Sequence, residues 1–461
     1  MNKKHLGAWA LGGLFCALLI GWGVDVGDRT GPIVRAQADN WTTQAARAQG
    51  VQLLETRDPR GPAAYPVASG DLLFFTNSGT TFGAINTINS VVVINVKTKK
   101  PIAVSDIEPG WSEKFVSHGI GVSPDGKYVY LPGQAPAKSK NPSSILVLDA
   151  RTLKIYQIIA SGAERPHHVK NYEDWTGKQR VLVEDFNWPA NSPNGKGFFV
   201  LDASDNNKVI AGMTPGQLRG NPYAGFTAPD GRYLYYSMPA PDASIRGEVH
   251  GLLAKIDMQT WKVAQYIPMG AYPIWTGFSQ DGKYAWVTQA GDGKVMKLER
   301  ASASGQRDKV VAEVPTGPGP YGLAMSIDDK EVWVADKGED TPRAQQKTTV
   351  TVIDTETNQV KRTIETKCMI NDHLILSPDG QEMWATCNGS HEIVVLDAKT
   401  YELKNRIPMP NQGDSHGGSF VSYTQGAGGL VAETVSDQNG LHGSAKDAAR
   451  RGTPWVPGGS R

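Results

Sequence analysis

The feature that most constrains this chain is a hairpin that returns along its length. Residues 117–130 are typical of a short strand, a Pro-Asp-Gly turn and a second strand of alternating polar and apolar residues. Turns of the same kind follow between two strands at 228–231, 279–282, 326–329 and 377–380. A sequence repeat predicts one closed array of similar units, so 461 residues need not mean several domains.

Two separate counts of this repeat give seven units. The third strand of each unit ends in Asp, Asn or Glu, and the last residues of successive third strands lie 42 to 55 positions apart. These strands are 91–95, 145–149, 198–202, 252–257, 295–299, 350–354 and 393–397. The first strands begin near His118, His168, Tyr223, Trp275, Tyr321, His373 and His416. Seven four-stranded units predict an all-β fold, a seven-bladed β-propeller.

The two ends of the chain are expected to share one blade. Its inner strand would come from the C-terminal part and its outer strands from 71–107, which leaves no free sheet edge. Two segments, 72–75 and 430–435, fit its second strand equally well. The propeller is expected over 71–443, after an irregular segment at 39–70 with a short helix near 42–55, and before a C-terminal tail at 444–461.

The N-terminus has the features of a targeting segment. Lys3 and Lys4 precede an uncharged apolar run at about 6–24, and Ala36-Gln37-Ala38 offers a cleavage site. Residues 1–38 are therefore predicted to be a signal peptide or an uncleaved anchor, and the protein is expected in the periplasm. The net charge of +1, with no basic stripe, argues against nucleic acid as a partner.

Two cysteines, Cys368 and Cys387, follow the targeting segment. There is no CxxCH motif, which argues against a covalently attached c-type haem. Both residues fall at the same end of neighbouring predicted strands, in a chain expected to reach an oxidising compartment. The sequence therefore predicts a disulfide between them.

Histidines are concentrated where the inner strands begin. Five of them occupy such starts on four predicted blades, and a propeller brings these starts together around its channel: His118, His167, His168, His373 and His416. His442 lies in a later turn, close enough in sequence to reach the same face. Adjacent residues of an extended strand point to opposite sides, which weakens the His167–His168 pair as a chelate. Neutral imidazole suits copper, zinc, iron and nickel.

The chain resembles known propellers at two levels. Over about 71–435 its repeat resembles the seven-bladed YVTN family. Arg165-Pro166-His167-His168 and Ser117-His118-Gly119 resemble the ligand strands of the copper propellers, nitrous oxide reductase and thiocyanate dehydrogenase. The later motifs resemble their remaining ligands: His373, His416-Gly417-Gly418-Ser419 and Gly440-Leu441-His442-Gly443.

This resemblance implies a multinuclear copper cluster held by six histidines: His118, His167, His168, His373, His416 and His442. It also implies a thiocyanate dehydrogenase-like oxidoreductase that acts on a small inorganic anion. Because the chain has no electron-transfer domain of its own, its electrons would pass to a periplasmic acceptor such as a c-type cytochrome.

Other residues are expected near the channel mouth. Tyr223, Trp275 and Tyr321 stand at three inner-strand starts where the copper propellers would place another histidine, and they would line the funnel. A catalytic base is sought among acidic residues at strand or loop ends, each of which is also typical of a solvated loop: Glu184, Asp185, Glu433 and Asp437.

Two alternatives to a copper enzyme remain open. The first is a non-catalytic periplasmic propeller that binds a ligand or acts as a scaffold. The second is a tetrapyrrole-binding propeller like the haem d1 proteins, in which a histidine at the mouth ligates iron. Bound visible absorbance separates the second alternative from copper.

Overall fold

A computed structural model describes residues 41–79, 89–105, 116–134, 142–187, 190–247, 249–301, 306–338 and 348–457. The predicted signal peptide or anchor at 1–38 lies outside these ranges. Within them, no helix has both the length and the apolar character needed to cross a membrane.

Most elements are strands. The first half of the chain contains α1 (Gln44–Ala48), β1 (Gln52–Thr56), β2 (Leu72–Ser78), β3 (Ser90–Asn95), β4 (Lys100–Val104), β5 (Val116–Ser117), β6 (Gly121–Val122), β7 (Tyr128–Gln134), β8 (Ser144–Asp149), β9 (Ile155–Ala160), β10 (Pro166–Glu173), β11 (Gln179–Asp185), β12 (Phe198–Asp202), β13 (Lys208–Met213), α2 (Pro215–Leu218), β14 (Gly220–Asn221) and β15 (Gly225–Thr227). The second half contains β16 (Tyr233–Met238), β17 (Ala240–Pro241), α3 (Ala243–Arg246), β18 (Gly251–Asp257), β19 (Lys262–Met269), β20 (Pro273–Phe278), β21 (Tyr284–Gln289), β22 (Lys294–Glu299), β23 (Lys309–Pro315), β24 (Pro320–Met325), β25 (Glu331–Asp336), β26 (Thr349–Asp354), β27 (Gln359–Glu365), β28 (Asn371–Leu376), β29 (Glu382–Cys387), β30 (Glu392–Asp397), β31 (Leu403–Pro408), β32 (Ser419–Gly426), β33 (Gly429–Asp437), β34 (Gly440–Leu441) and α4 (Gly443–Arg450).

These strands form seven antiparallel blades, and the prediction of a seven-bladed β-propeller is confirmed. From the inner strand outward, blade 1 is β5/β6-β7-β8-β9, blade 2 is β10-β11-β12-β13 and blade 3 is β15-β16-β18-β19. Blades 4, 5 and 6 are β20-β21-β22-β23, β24-β25-β26-β27 and β28-β29-β30-β31, and blade 7 is β32-β2-β3-β4.

The repeated turn explains why each inner hairpin forms. In blade 1 the Ser123 hydroxyl donates to Asp125 Oδ1 at 2.7 Å, and the backbone N–H of Gly126 donates to the Ser123 carbonyl. Gly126 has φ +65°, a conformation that glycine adopts without steric cost. Blades 4 and 6 repeat the Ser–Asp bond, at 2.6 Å in each. The turn chemistry therefore sets the same hairpin in blade after blade.

Blade 7 closes the ring by pairing the two ends of the chain. β32 lies antiparallel to β2, with Leu72 opposite Ser422 and Phe75 opposite Ser419. The second strand of this blade is therefore β2, which includes 72–75. The competing segment, 430–435, belongs to β33, which pairs with the opposite edge of β32.

β33, β34 and α4 together form what we call the C-terminal plug, residues 429–450. It hydrogen-bonds to the inner strands or turns of four other blades: Thr434 Oγ1 to Ser123 O at 2.7 Å, Asn171 N to Asp437 Oδ2 at 3.1 Å, Thr227 N to Asn439 Oδ1 at 3.1 Å and Ser436 Oγ to Leu376 O at 2.7 Å. The plug therefore crosses the channel at the face that carries the Pro-Asp-Gly turns. Part of the predicted C-terminal tail is thus helical.

The segment 39–70 carries α1, which lies within the expected helix at 42–55, and β1, a strand that was not expected. α1 is capped by Thr43, whose side chain accepts from the N–H of Ala46. β1 pairs with β9 and adds a fifth strand to the outer edge of blade 1. The alternation of polar and apolar residues in 52–56 is too short to predict a strand. The strand forms because it pairs with β9, which is distant in sequence.

The core lies between adjacent blades. Large aromatic side chains on the second strands are fully buried there, namely Trp286, Trp333 and Trp384. At the closure, the rings of Phe74 in blade 7 and Trp384 in blade 6 have centroids 4.8 Å apart. Such ring pairs add to the gain from burying their area, and they hold neighbouring blades at a fixed distance.

Cys368 and Cys387 form a disulfide in the structure, with Cα atoms 5.2 Å apart. Cys387 ends β29 and Cys368 precedes β28 of the same blade. We expect the Cys368→Ala, Cys387→Ala double variant to lose about 3 kcal/mol of unfolding free energy, because the bridge restricts a short loop in the unfolded chain. Urea unfolding measures this loss, and an unchanged midpoint would contradict it.

Thiol titration gives an independent measure of the same bridge. In denatured, non-reduced protein that retains 1–38, only Cys16 should react. Protein lacking that segment should show no free thiol. Two reactive thiols beyond Cys16 would show that the bridge does not form.

Candidate functional site

Five histidines lie together where the inner strands of blades 1, 2, 6 and 7 begin. The side chains of His167, His168, His373 and His416 are fully buried, and His118 is partly exposed. The Nε2 atoms of His167 and His416 are 2.9 Å apart, and those of His168 and His373 are 3.2 Å apart. The ring centroids of His118 and His416 are 3.7 Å apart. We call these five residues the histidine cluster.

A change of strand register brings both residues of the His167–His168 pair to the channel. The pairing of β10 with β11 shifts between Pro166 and Val169, so the strict alternation of side chains is broken at the pair. The centroids of the His167 and His168 rings are 3.6 Å apart. The expectation that the two side chains point to opposite sides of the strand is therefore wrong. β20, β24 and β28 carry the same shift near their starts.

Glycine permits the close approach of blade 1 to this strand. A Cβ on Gly119 would meet the His167 carbonyl oxygen at 2.1 Å, and Gly119 has φ +98°. Any other residue here would push blade 1 away from His167. The His118-Gly119 sequence therefore combines a ligand candidate with the space that it needs.

The cluster contains two groups of three histidines whose ring nitrogens could hold one ion. They are His118, His167 and His416, and His168, His373 and His416, and within each group the nitrogens lie within 4.8 Å of one another. Burial lowers the pKa of four rings well below the usual value: His118, His167, His168 and His373. These imidazoles are neutral at pH 7, which is the form that ligates a metal.

One carboxylate–lysine pair supports the blade 2 side of the cluster. Glu184 Oε2 lies 3.1 Å from His168 Nδ1 and accepts from Lys170 Nζ at 2.8 Å. Burial raises the pKa of Glu184 to about 7 and lowers that of Lys170. Glu184, a predicted catalytic candidate, thus touches the cluster and orients the imidazole of His168 through its Nδ1.

A second pair supports the blade 6 side. Asp372 Oδ2 lies 2.6 Å from His416 Nδ1, and Lys337 Nζ lies 3.1 Å from Asp372 Oδ1. Asn388 also donates to Asp372 Oδ2, at 2.6 Å. Burial opposes the charge of Asp372, but the Lys337 ammonium and the contact with His416 hold its pKa well below the usual range. This carboxylate is therefore ionised.

Three aromatic side chains predicted to line the funnel border the cluster. The Trp275 ring lies 4.6 Å from that of His373 and 5.4 Å from that of His168. The Tyr321 ring lies 5.7 Å from that of His373, and the Tyr223 ring 5.9 Å from that of His167. The hydroxyls of Tyr223 and Tyr321 are hydrogen-bonded to each other. All three are buried, so they limit the access of water to the imidazoles.

Four predicted site residues lie outside the cluster: His442, Asp437, Glu433 and Asp185. His442 belongs to the C-terminal plug, and its Nε2 lies 2.7 Å from Asp437 Oδ1. Glu433 accepts from the hydroxyl of Ser444 in the plug. Asp185 is buried beside Glu184, and its Oδ1 has no hydrogen-bond partner among the described residues. The structure thus does not bring His442 to the other histidines, because the plug carries it to the opposite end of the channel.

Three charged residues beside the cluster were not predicted from the sequence: Asp372, which contacts His416, and Lys170 and Lys337, which bond to Glu184 and Asp372. Asp372 directly precedes His373, and Lys170 follows His168 by two positions on the same strand. These spacings were the available signals. No spacing in the sequence indicates Lys337, because this residue comes from the neighbouring blade.

The comparisons with known proteins agree on the fold. The family described as "Cytochrome D1 heme domain" matches residues 299–424, less than half of the chain. A putative 6-phosphogluconolactonase from Bacteroides fragilis matches with a TM-score of 0.55 at 15% identity, over 77% of this chain and 99% of that one. The periplasmic gluconolactonase of Pseudomonas aeruginosa matches with a TM-score of 0.55 at 15% identity, over 76% of this chain and 99% of that one. Hydrazine synthase of Kuenenia stuttgartiensis matches with a TM-score of 0.52 at 18% identity, over 69% of this chain and 91% of that one.

No curated protein matches the sequence. The structural matches are too distant in sequence to show more than a propeller. The copper cofactor implied by the resemblance is wrong, because the family that matches is a haem-domain family, and the matched residues include His373 and His416. Neutral imidazole ligates haem iron as well as copper, so the ligand type alone could not decide.

The first site prediction concerns Asp372. We expect Asp372→Asn to lower the unfolding free energy by roughly 3 kcal/mol or more, because it leaves the buried Lys337 ammonium without its carboxylate. Urea unfolding measures the change. Asp205→Asn is the control, since its contact with Lys208 is exposed and 4.0 Å long, and it should cost under about 0.5 kcal/mol. Equal effects of the two variants would contradict the prediction.

The second site prediction concerns Asp185. Burial raises the pKa of this carboxyl to about 7. The folded state then keeps a proton that the unfolded chain has already released, so stability falls as pH rises from about 4 through 7. Asp185→Asn lacks this titration. From pH 5 to pH 8, the stability of the variant relative to wild type should rise by roughly 2–3 kcal/mol.

Urea unfolding of both proteins at the two pH values measures this change. Asp205→Asn, at an exposed position, should follow wild type at both. Parallel pH profiles of wild type and Asp185→Asn would show that the buried carboxyl does not titrate in this range.

Proposed function

We propose that this chain is a periplasmic redox propeller that binds an iron tetrapyrrole of the haem d1 type at the histidine cluster. One observation carries the proposal. The segment that matches the cytochrome D1 heme domain family, 299–424, supplies His373 and His416, two buried imidazoles of the cluster. The likeness to a periplasmic propeller supports the location.

The donor chemistry of the site fits such a cofactor. Haem iron takes an imidazole as axial ligand, and the cluster offers five. Trp275 and Tyr321 offer aromatic surfaces to a macrocycle.

The packing limits where a macrocycle can lie. The imidazole nitrogens approach within 2.9 and 3.2 Å, so a planar ring has no room between them in this arrangement. His118 is the member with exposed surface. Four segments that follow second strands along the chain lie outside the described residues: 80–88, 135–141, 188–189 and 339–347.

The chain's own residues prepare the site in two ways. Glu184 and Asp372 engage the Nδ1 atoms of His168 and His416, so the Nε2 atoms of these rings face the cluster. Buried aromatic side chains keep water away from the imidazoles. When bound, an iron tetrapyrrole supplies one-electron chemistry. We further propose a small anion as substrate and a separate periplasmic electron carrier, such as a c-type cytochrome, as partner.

The test is the cofactor content of the full chain purified after export. The protein should carry visible absorbance from a tetrapyrrole that is extracted by acid, together with iron in equal amount. His118→Gln and His373→Gln should each lower this content, because each removes an imidazole from the cluster. His391→Asn is the matched control: this histidine lies in the same matched segment, outside the cluster, and its φ of +57° suits asparagine.

Three results would overturn the proposal. They are a colourless protein after exposure to tetrapyrrole, bound metal without tetrapyrrole absorbance, and full cofactor content in both His118→Gln and His373→Gln. Protein that is folded and free of any cofactor would instead support a binding or scaffold propeller.

A further inference from the structure

A second pocket lies at the other end of the channel, beneath the C-terminal plug. It is a cavity of about 100 Å³. Its walls come from the ends of the inner strands in blades 2 to 6, and residues 437–442 and Lys446 cover it. It shares no residue with the histidine cluster.

One side of this cavity is apolar. Leu323, Met325, Leu374 and Leu376 line it with apolar side chains. Such a wall offers water no hydrogen bonds, and apolar cavities in proteins stay dry. The occupant that this side favours therefore carries a hydrocarbon part.

The other side holds polar groups that are buried without partners. Gln438 is 5% exposed, and neither its Nε2 nor its Oε1 has a hydrogen-bond partner among the described residues. Thr276 is 2% exposed, and its Oγ1 likewise has none. A buried polar group without a partner destabilises the folded state. Two such side chains on one cavity point to a ligand with hydrogen-bonding atoms.

A cation completes the polar side. Lys446 lines the cavity, and its Nζ donates to the carbonyl of Pro229 at 3.3 Å without forming an ion pair with any described residue. The two protein carboxylates at the cavity are engaged elsewhere. Asp437 bonds to His442 and to the N–H of Asn171, and Glu173 is exposed and accepts from a glutamine. A carboxylate from a ligand would supply the missing partner of Lys446.

We propose that this cavity binds a small monocarboxylate with a short hydrocarbon chain. The carboxylate accepts from Lys446 and from the Gln438 amide, and the hydrocarbon packs on Leu323, Leu374 and Leu376. No residue of the histidine cluster lines this site.

The test uses sodium butyrate as the probe and saturation-transfer NMR on the full chain as the readout. Butyrate should bind, and butyramide, which keeps the shape but lacks the charge, should bind about tenfold more weakly. Lys446→Met, which keeps the length of the side chain, should also weaken butyrate binding about tenfold. Gln438→Leu, which fills the polar side, should weaken it as well. Lys399→Met changes an exposed lysine of a turn and should bind like wild type.

The proposal fails if folded wild-type protein shows no transfer to butyrate, which would mean that the cavity holds water only. It also fails if butyramide binds as well as butyrate, or if Lys446→Met binds like wild type. Circular dichroism and the thermal midpoint show whether each variant is folded. Lys446 is partly exposed, so its variant gives the answer even where Gln438→Leu does not fold.

Discussion

The histidine cluster depends on a shift of strand register near the start of the inner strands. In a regular strand His167 and His168 would face opposite sides, and one of them would lie between blades. The shift between Pro166 and Val169 turns both rings to the axis. The same irregularity recurs in blades 4, 5 and 6, so each of these strands presents a large side chain to the channel at an equivalent position.

The second constraint is charge. Four fully buried imidazoles cannot all be positively charged, and burial keeps His167, His168 and His373 neutral. The buried carboxylates beside them are balanced by lysines from the same or the adjacent blade, in the pairs Glu184–Lys170 and Asp372–Lys337. The ionic groups are thus satisfied around the cluster, and the Nε2 atoms of four histidines face one another at its centre.

The sequence was sufficient for the fold because the repeat is explicit: seven third strands and seven inner starts can be counted without any structure. It was also sufficient for the five clustered histidines, because propeller topology brings equivalent positions together. It was not sufficient for Lys337, whose partner belongs to another blade and leaves no periodic signal. His442 shows the opposite error, because nearness in sequence to the last inner strand does not say towards which end of the channel the chain turns. The copper cofactor rested on short motifs that describe imidazole and not the metal.

The closure of blade 7 has a consequence for how the protein is made. β2 finds its partner β32 only after nearly the whole chain exists, and Tyr65 bonds to Tyr423 across 358 residues. Contacts at such separation form late, since a long loop must close first. His416 immediately precedes that closing region, so the cluster is complete only in the finished ring. A chain that ends before β32 holds only part of the site, so a cofactor held by the whole cluster enters after the ring has closed.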